Sequence, residues 1–410
     1  MLRLFEGFGF ELEYMVVNAE TLAVLPVTDK ILRAVAGEYA LEVERGETAW
    51  SNELVLHVIE IKTNGPAQKI APLAQLFHQD VCAINDILAP LGGALMPTAM
   101  HPWMNPATET RLWPHEQNEI YTLFDRIFGC KGHGWSNLQS VHINLPFGDD
   151  REFGKLHAAI RLILPILPAL AASSPLMDGR VTGLLDNRLE VYRNNAKKIP
   201  SISAKVIPEA IFSQKAYENQ ILNTIYQDLS PYDPTGILRH EWANARGAIA
   251  RFDRNSIEIR ILDIQECPQA DFAIATTIIE TIRALVDNNW IDYTKQQQWE
   301  VDPLYEILLA SIVEGEKAVI QNRKYLDIFS FPGKGRCTIQ ELWQHLNETL
   351  TKNNSALMAP CQPFWKLYGQ QGCLARRILK VLNKHQDRDT VHSVYRRLTQ
   401  CLAKNHFFTA

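Results

Sequence analysis

Four short runs of the chain alternate apolar and polar residues with a period of two. They are "FELEYMVV" from Phe10, "HVIEIKT" from His57, "SVHINLP" from Ser140 and "SIEIRILD" from Ser256. On a pleated strand, residues i and i+2 project from the same face. Glu11 and Glu13 therefore stand together, as do Glu60 and Lys62, His142 and Asn144, and Glu258 and Arg260. The opposite faces carry Phe10, Leu12 and Tyr14, then Ile59 and Ile61, then Val141, Ile143 and Leu145, then Ile257, Ile259 and Ile261. Such alternation predicts an antiparallel sheet with one face packed and the other polar.

Any one of these strands, taken alone, reads as an ordinary wet sheet face. Together the polar positions are unusual, because four of the eight are Glu, with a His, an Asn, an Arg and only one Lys. Two carboxylates on one strand face repel each other unless water or a cation lies between them. Carboxylates with an imidazole are donors for hard divalent cations. An arginine two residues from such a carboxylate suits a phosphate, which its planar fork can hold through two hydrogen bonds. Glu53 is seven residues before Glu60, so a regular strand would send the two to opposite faces. If both serve one site, Glu53 lies ahead of the regular strand or beside a bulge.

The chain has 410 residues, 46% of them hydrophobic and 21% charged, an ordinary globular composition with length for one large domain or two. Its net charge of -5 shows no nucleic-acid footprint. Seven scattered cysteines without a C-x-x-C pair fit reduced thiols in a cytoplasmic protein. The N-terminal stretch, with Glu6 and Glu11, lacks a signal-peptide core. The most apolar stretch, "AAIRLILPILPALAASSPLM", contains Arg161 and two prolines, and is expected as a buried helix kinked at Pro165 and Pro168. Helices are also expected over about 28–36, 71–88 and the "HEQNEIYTLFDRIFG" stretch. "ELVLHVIEIKT" reads as one continuous strand, and "LAVLPV" as a short returning one. Beyond about residue 270 helical patterns dominate. The fold class is α+β: a curved antiparallel sheet carrying the site, helices on its outer side and a helical C-terminal region. The expected division is 1–290 for the catalytic part and 291–410 for the C-terminal helices.

The order "FELE", "NELVLHVIEIKT", "SVHINLPF", "SIEIRILD" resembles the glutamate–cysteine ligase superfamily, including its second-type carboxylate–amine ligases with a sheet related to that of glutamine synthetase. "HPW" at 101–103, "NEIY" at 118–121 and "ASSPLMDG" at 172–179 are similar to further landmarks of that family. The resemblance covers roughly residues 5–270. It implies that Glu11, Glu13, Glu60, His142 and Glu258 hold two or three magnesium or manganese ions. It also implies that His142, Arg260 and Arg188 lie beside ATP, and that Arg260, Arg251 and Glu53 act in the chemistry. Tyr192 is implied as a substrate or nucleotide contact, and His101 as a site residue through the "HPW" landmark. The implied reaction is ATP- and Mg²⁺-dependent formation of an amide, γ-glutamyl in the leading case, through an acyl phosphate. A phosphotransferase acting on a small nitrogenous acceptor, a metal-dependent hydrolase and a non-catalytic Mg-ATP-binding member stand as alternatives. Small molecules are the expected partners, with no nucleic acid or membrane, and a homo-oligomer is left open.

Other motifs carry less. "GFGFE" lacks the third glycine and the helix of a dinucleotide fingerprint, so its glycines are read as allowing close packing at a strand start. "FPGKGRCT" has the wrong spacing for a P-loop and is read as a surface turn. "ARRILKVLNK" is expected to be a solvated helix face, and Trp113 and Trp135 to be core residues.

Overall fold

The computed structural model describes residues 1–333, 335–383 and 386–410. Its centre is an eight-stranded sheet built from β1 (Gly9–Asn18), β2 (Glu42–Glu44), β3 (Thr48–Asn52), β4 (Val58–Thr63), β5 (Gly93–Met96), β6 (Ser140–Pro146), β7 (Ala248–Arg251) and β8 (Ser256–Asp263). The strand order is β2-β3-β4-β1-β6-β8-β7, with β5 pairing the far end of β1, and every pairing is antiparallel. The α+β fold class and the antiparallel sheet expected from the alternation are both present.

The apolar face of the sheet lies under helices, as its period-two pattern requires. Phe10, Leu12, Tyr14 and Val16 of β1 are fully or almost fully buried. Against them pack α1 (Leu73–Leu88) and a later long helix, Pro268–Val286. Phe272 of that later helix meets Phe10 and Phe77 edge-on, with ring centroids 5.0 and 5.1 Å apart. Such T-shaped pairs place a ring's positive edge against its neighbour's electron-rich face. The polar face changes character along β1. Glu11 and Glu13 are followed at the same parity by Met15 and Val17, which join a second apolar cluster with Leu374, Ile378, Val391 and Tyr395. The C-terminal helices Leu374–Leu382 and Arg388–Lys404 thus cover one end of the polar face and leave the other open.

The apolar run at 150–171 is a packed helix, 94% of its most hydrophobic window being buried inside the protein. Its helical bonding tightens into a 3₁₀ turn at Leu164–Ile166, where Pro165 removes a backbone donor.

Three expectations change. "ELVLHVIEIKT" is not one strand: only Val58–Thr63 joins the sheet, and the preceding residues form a turn tied to the 111–113 segment by a bridge between Val55 and Leu112, with the Leu56 amide donating to the Arg111 carbonyl and the Trp113 amide to the Leu54 carbonyl. On the side away from β1, β4 pairs with β3, whose "TAWSN" has no alternation to announce it. "LAVLPV" gives a single bridge, Val24 to Val17, because Leu25 and Val27 turn into the following helix Thr28–Ala36. The basic helix at 374–382 is not wholly solvated: Arg377 is buried against Glu266 and the Phe408 carbonyl, while Arg376 pairs with Glu316. "FPGKGRCT" includes Lys334, which lies outside the described residues.

Candidate active site

Strand register assembles the polar residues into one band. β1 pairs β6 so that Glu11 faces His142, and pairs β4 so that Glu13 faces Glu60 and Glu11 faces Lys62. β8 pairs β6 so that Glu258 faces Asn144. Residues directly opposite on an antiparallel pair are within side-chain reach, so the band runs unbroken over β4, β1, β6 and β8. Close approach at its lower edge depends on Gly9, where a Cβ would stand 2.9 Å from the Asn144 Cβ. That is the packing role the "GFGFE" glycines were expected to have.

Hydrogen bonds fix most of these side chains. Glu13 Oε2 accepts from the Ser140 amide at 2.7 Å and from its hydroxyl at 2.9 Å. Glu11 accepts from His142 Nδ1 at 2.8 Å and from Asn144 Nδ2 at 3.0 Å. Glu60 accepts from the Ser51 hydroxyl at 2.7 Å and lies 3.4 Å from Lys62 Nζ. Glu258 sits between Arg260, 2.9 Å away, and Arg251, 3.3 Å away. Glu53 stands just past the end of β3, before the regular strand β4, one of the two placements its spacing from Glu60 allowed.

The electrostatics follow from this crowding. Burial would raise Glu11, but its hydrogen bond to His142 and the His142 charge outweigh burial and hold it at about 2. Burial opposes protonation of His142, yet Glu11, Glu13 and Glu258 lift it to about 9. These carboxylates favour the protonated imidazole, whose Nδ1 lies 2.8 Å from Glu11 and whose Nε2 lies 2.9 Å from Ser140 Oγ, and a bound cation would favour the neutral ring instead. Burial and Glu11 push Glu60 up to about 7, against Lys62 and Ser51. Burial, Glu13 and Glu60 push Glu53 well above the carboxylate range.

Two cavities meet at the band. The first, about 660 Å³, is lined by Glu11, Glu60, Glu258, Lys62, Arg251 and Arg254 among others. The second, about 370 Å³, is lined by Arg188, Tyr192, Phe124, Trp135 and several aliphatic side chains. Glu13, Glu53, Tyr121, His142, Trp242 and Arg260 line both and form the seam. Glu11, Glu13, Glu53, Glu60, His142, Arg251, Glu258 and Arg260 all line the first cavity. Arg188, expected beside the nucleotide, lines only the second, with Tyr192. Trp113 is core as expected, but Trp135 is half-buried and faces the second cavity. His101 is remote from both: it is fully buried, with Nε2 bound to the Leu22 carbonyl at 2.7 Å.

Sequence reasoning missed Ser140, Ser51, Tyr121 and Trp242. Ser140 had a usable signal, since it shares the face of His142 two residues on. Trp242, in the short turn Glu241–Ala243, had none.

The donor set fits divalent cations. Glu11, His142 and Glu258 bring one ligand atom each within 4.8 Å of one another, and so do Glu13, Glu60 and His142. Glu53 and Glu60, pushed upward by burial and by neighbouring carboxylates, are groups that a cation's charge would return to the ionised form.

The class of protein is given by the sheet, the band and the relatives together. A family model described as glutamate–cysteine ligase family 2 matches residues 7–395, and the chain belongs to that family. At the level of the family this is a carboxylate–amine ligase. An uncharacterized protein of Archaeoglobus fulgidus is 30% identical over 393 residues, 96% of this chain and 97% of that one. A protein of Bradyrhizobium sp. strain ORS 278, provisionally named glutamate–cysteine ligase 2, is 26% identical over 296 residues, 70% of this chain and 62% of that one. Among solved structures, the glutamate–cysteine ligase of Francisella tularensis in complex with AMP superposes with a TM-score of 0.60 at 11% identity, over 96% of this chain and 88% of that one. A bifunctional glutathione synthetase from Pasteurella multocida gives 0.55 at 15% identity, over 98% of this chain and 52% of that one. At these identities the structural likeness is one of fold alone.

Proposed function

We propose that the protein is an ATP- and magnesium-dependent ligase that joins a carboxylate to an amine through an acyl phosphate, with glutamate as the acid. The observation that carries this reading is the seam. Two cavities of different chemistry, one basic and acidic, the other largely apolar, open onto the same carboxylates, imidazole and arginine.

The first cavity is the nucleotide side. Lys62, Arg251 and Arg254 give its wall the cationic groups that polyphosphate needs. Glu11, Glu13, Glu60, Glu258 and His142 are the residues that would hold magnesium or manganese. When bound, such ions neutralise charge on the phosphate oxygens. Arg260, fixed by Glu258 at 2.9 Å and by its donation to the Asn244 carbonyl at 3.2 Å, is placed at the seam to stabilise the transferring phosphoryl group. Arg251, braced by Asp253, supports Glu258 from the other side. The acid's carboxylate attacks the γ-phosphorus, giving ADP and an acyl phosphate, and the amine then displaces phosphate. Glu53, on the seam, would take the proton the amine loses once neighbouring cations have returned it to the ionised form. Holding both reactants against one rigid sheet supplies much of the rate by proximity.

The test is incubation of the purified protein with ATP, Mg²⁺, glutamate and a panel of amines, following ADP, phosphate and product mass. Amine-dependent phosphate release with a condensed product is expected. A phosphorylated acceptor would establish a phosphotransferase instead, turnover without ATP a hydrolase, and Mg-ATP binding without turnover a non-catalytic protein.

A further inference from the structure

The second cavity holds more information than the reaction needs. A helix at Asn187–Asn195, capped by the Asp186 side chain on the Leu189 amide, presents Arg188, Tyr192 and Asn195 to it. Their spacing of i, i+4 and i+7 places all three on one helix face. Each carries a buried polar atom with no protein partner: Arg188 Nε and Nη1, Tyr192 Oη and Asn195 Oδ1. Arg188 is only 2% exposed. Its Nη2 donates to the Arg260 carbonyl at 2.9 Å, while Nη1 stands 3.7 Å from Asp263 Oδ1, beyond hydrogen-bond distance. Asn195 Oδ1 is an acceptor and Asp263 lies at ion-pair distance from Arg188 Nη1, but Arg188 Nε and Tyr192 Oη are unpaired buried donors on one wall, which are costly unless an anion meets them.

Facing this helix the cavity is apolar and largely aromatic: Val55, Ile120, Phe124, Trp135, Leu138 and Trp242. Phe124 packs against both Trp135 and Trp242, with centroids 5.4 and 5.9 Å apart, so the wall is a continuous set of rings. A small side chain would leave that wall wet, whereas a ring or branched chain would bury it and gain with each methylene.

Resting on the ligase reading above, we propose that the amine substrate is an α-amino acid with a large apolar side chain, its carboxylate held by Arg188 and Tyr192. Its amino group then faces Glu53 and Glu13 at the seam, and its side chain lies on Phe124 and Trp135. Asn195 Oδ1, whose amide nitrogen is already used on the Gly134 carbonyl, adds an acceptor at the same rim. Discrimination in apolar pockets runs at roughly 10–200-fold per methylene. The proposal therefore requires kcat/KM for L-phenylalanine or L-leucine to exceed that for L-cysteine by at least about tenfold.

The experiment has two arms on the full chain. In the first, kcat/KM is measured with ATP, Mg²⁺, glutamate and L-alanine, L-cysteine, L-leucine or L-phenylalanine, in wild type, Phe124→Ala and Phe124→Leu. Phe124→Ala is expected to lower kcat/KM for phenylalanine by at least about tenfold more than that for cysteine, erasing the preference, and Phe124→Leu to restore it in part. In the second, intrinsic tryptophan fluorescence is titrated with the same amino acids without ATP, since Trp135 and Trp242 line the cavity. Saturable quenching by phenylalanine, weakened by Arg188→Lys, supports the assignment. A ligase that prefers cysteine, or a Phe124→Ala variant that slows all amines alike, overturns the inference and leaves the ligase reading intact. Absence of condensation with any amine, alongside phenylalanine quenching, overturns the ligase reading and leaves the cavity assignment standing.

Discussion

Glu13 is held by two hydrogen bonds from Ser140 and stands across the strand pair from Glu60, so its position does not depend on its charge. Glu13→Gln keeps the shape and removes the negative charge. Turnover is expected to fall by at least about 100-fold, the scale for losing one electrostatic contributor to a transition state. The melting temperature should stay within a few degrees, and calorimetric Mg²⁺ affinity in the presence of ATP should weaken in parallel. Activity within a few-fold of wild type would remove Glu13 from the site. At this scale the sequence was most readable where the strand period exposed it. Glu11, Glu13, Glu60, His142 and Glu258 stand out as candidates because i, i+2 spacing on a strand fixes a shared face. Trp242 and Tyr121, which close the seam, come from a turn and a helix, and their placement depends on long-range packing that no local period encodes.

Among elements, β8 shows how a break in the period marks a break in pairing. Its sequence alternates from Ser256 to Ile261 and then sets apolar Leu262 directly after Ile261, and its register against β6 slips between Ile259 and Leu262, a bulge of one extra residue. Arg260 lies inside that irregularity and donates its amide to the Gly247 carbonyl at 2.9 Å, ahead of β7. A Cβ on Gly247 would meet Ile261 Cγ2 at 2.9 Å, Val206 Cγ1 at 3.0 Å and the Val206 carbonyl at 3.3 Å. The glycine therefore lets two backbones close around the residue that must reach the seam. Overpacking of this kind costs about 1–3 kcal/mol. Gly247→Ala is expected to lower the melting temperature by several degrees and kcat by at least about tenfold, with circular dichroism unchanged. Loss of stability with full activity would show that the bulge does not position Arg260. The same elements explain why β3 and the turn after it were not foreseen. "TAWSN" offers no alternation, and the apolar "LVLHV" is a strand by composition that the cross-links to Arg111 and Trp113 convert into a turn.

Across the whole molecule the helical C-terminal region was legible as helix, but not as to what it covers. Its residues continue the core that lies beneath the sheet, and the buried Arg377–Glu266 pair ties it to the segment just past β8. That core also encloses ionisable groups whose cost appears only when the chain unfolds. His157, on the helix Asp150–Ile163, is flanked by Phe153, Phe212 and Tyr217. Burial, with Arg161 nearby, lowers it from 6.5 to about 3, so the folded protein holds it neutral. A depressed histidine contributes stability that is complete above the unfolded value near 6.5 and is lost as pH falls toward the folded value. Over that window the unfolded chain binds the extra proton. At about pH 5 the loss from this one residue amounts to ~2 kcal/mol, from about 1.4 kcal/mol per pH unit. Raised carboxylates such as Glu53 and Asp271 slope the opposite way, but they are common to wild type and variant and cancel in a comparison. His157→Phe, which suits its aromatic surroundings, should therefore gain on wild type by ~2 kcal/mol between about pH 7.5 and pH 5 in urea melts. Parallel stability curves for the two proteins would mean that His157 is already charged, or hydrated, inside the fold.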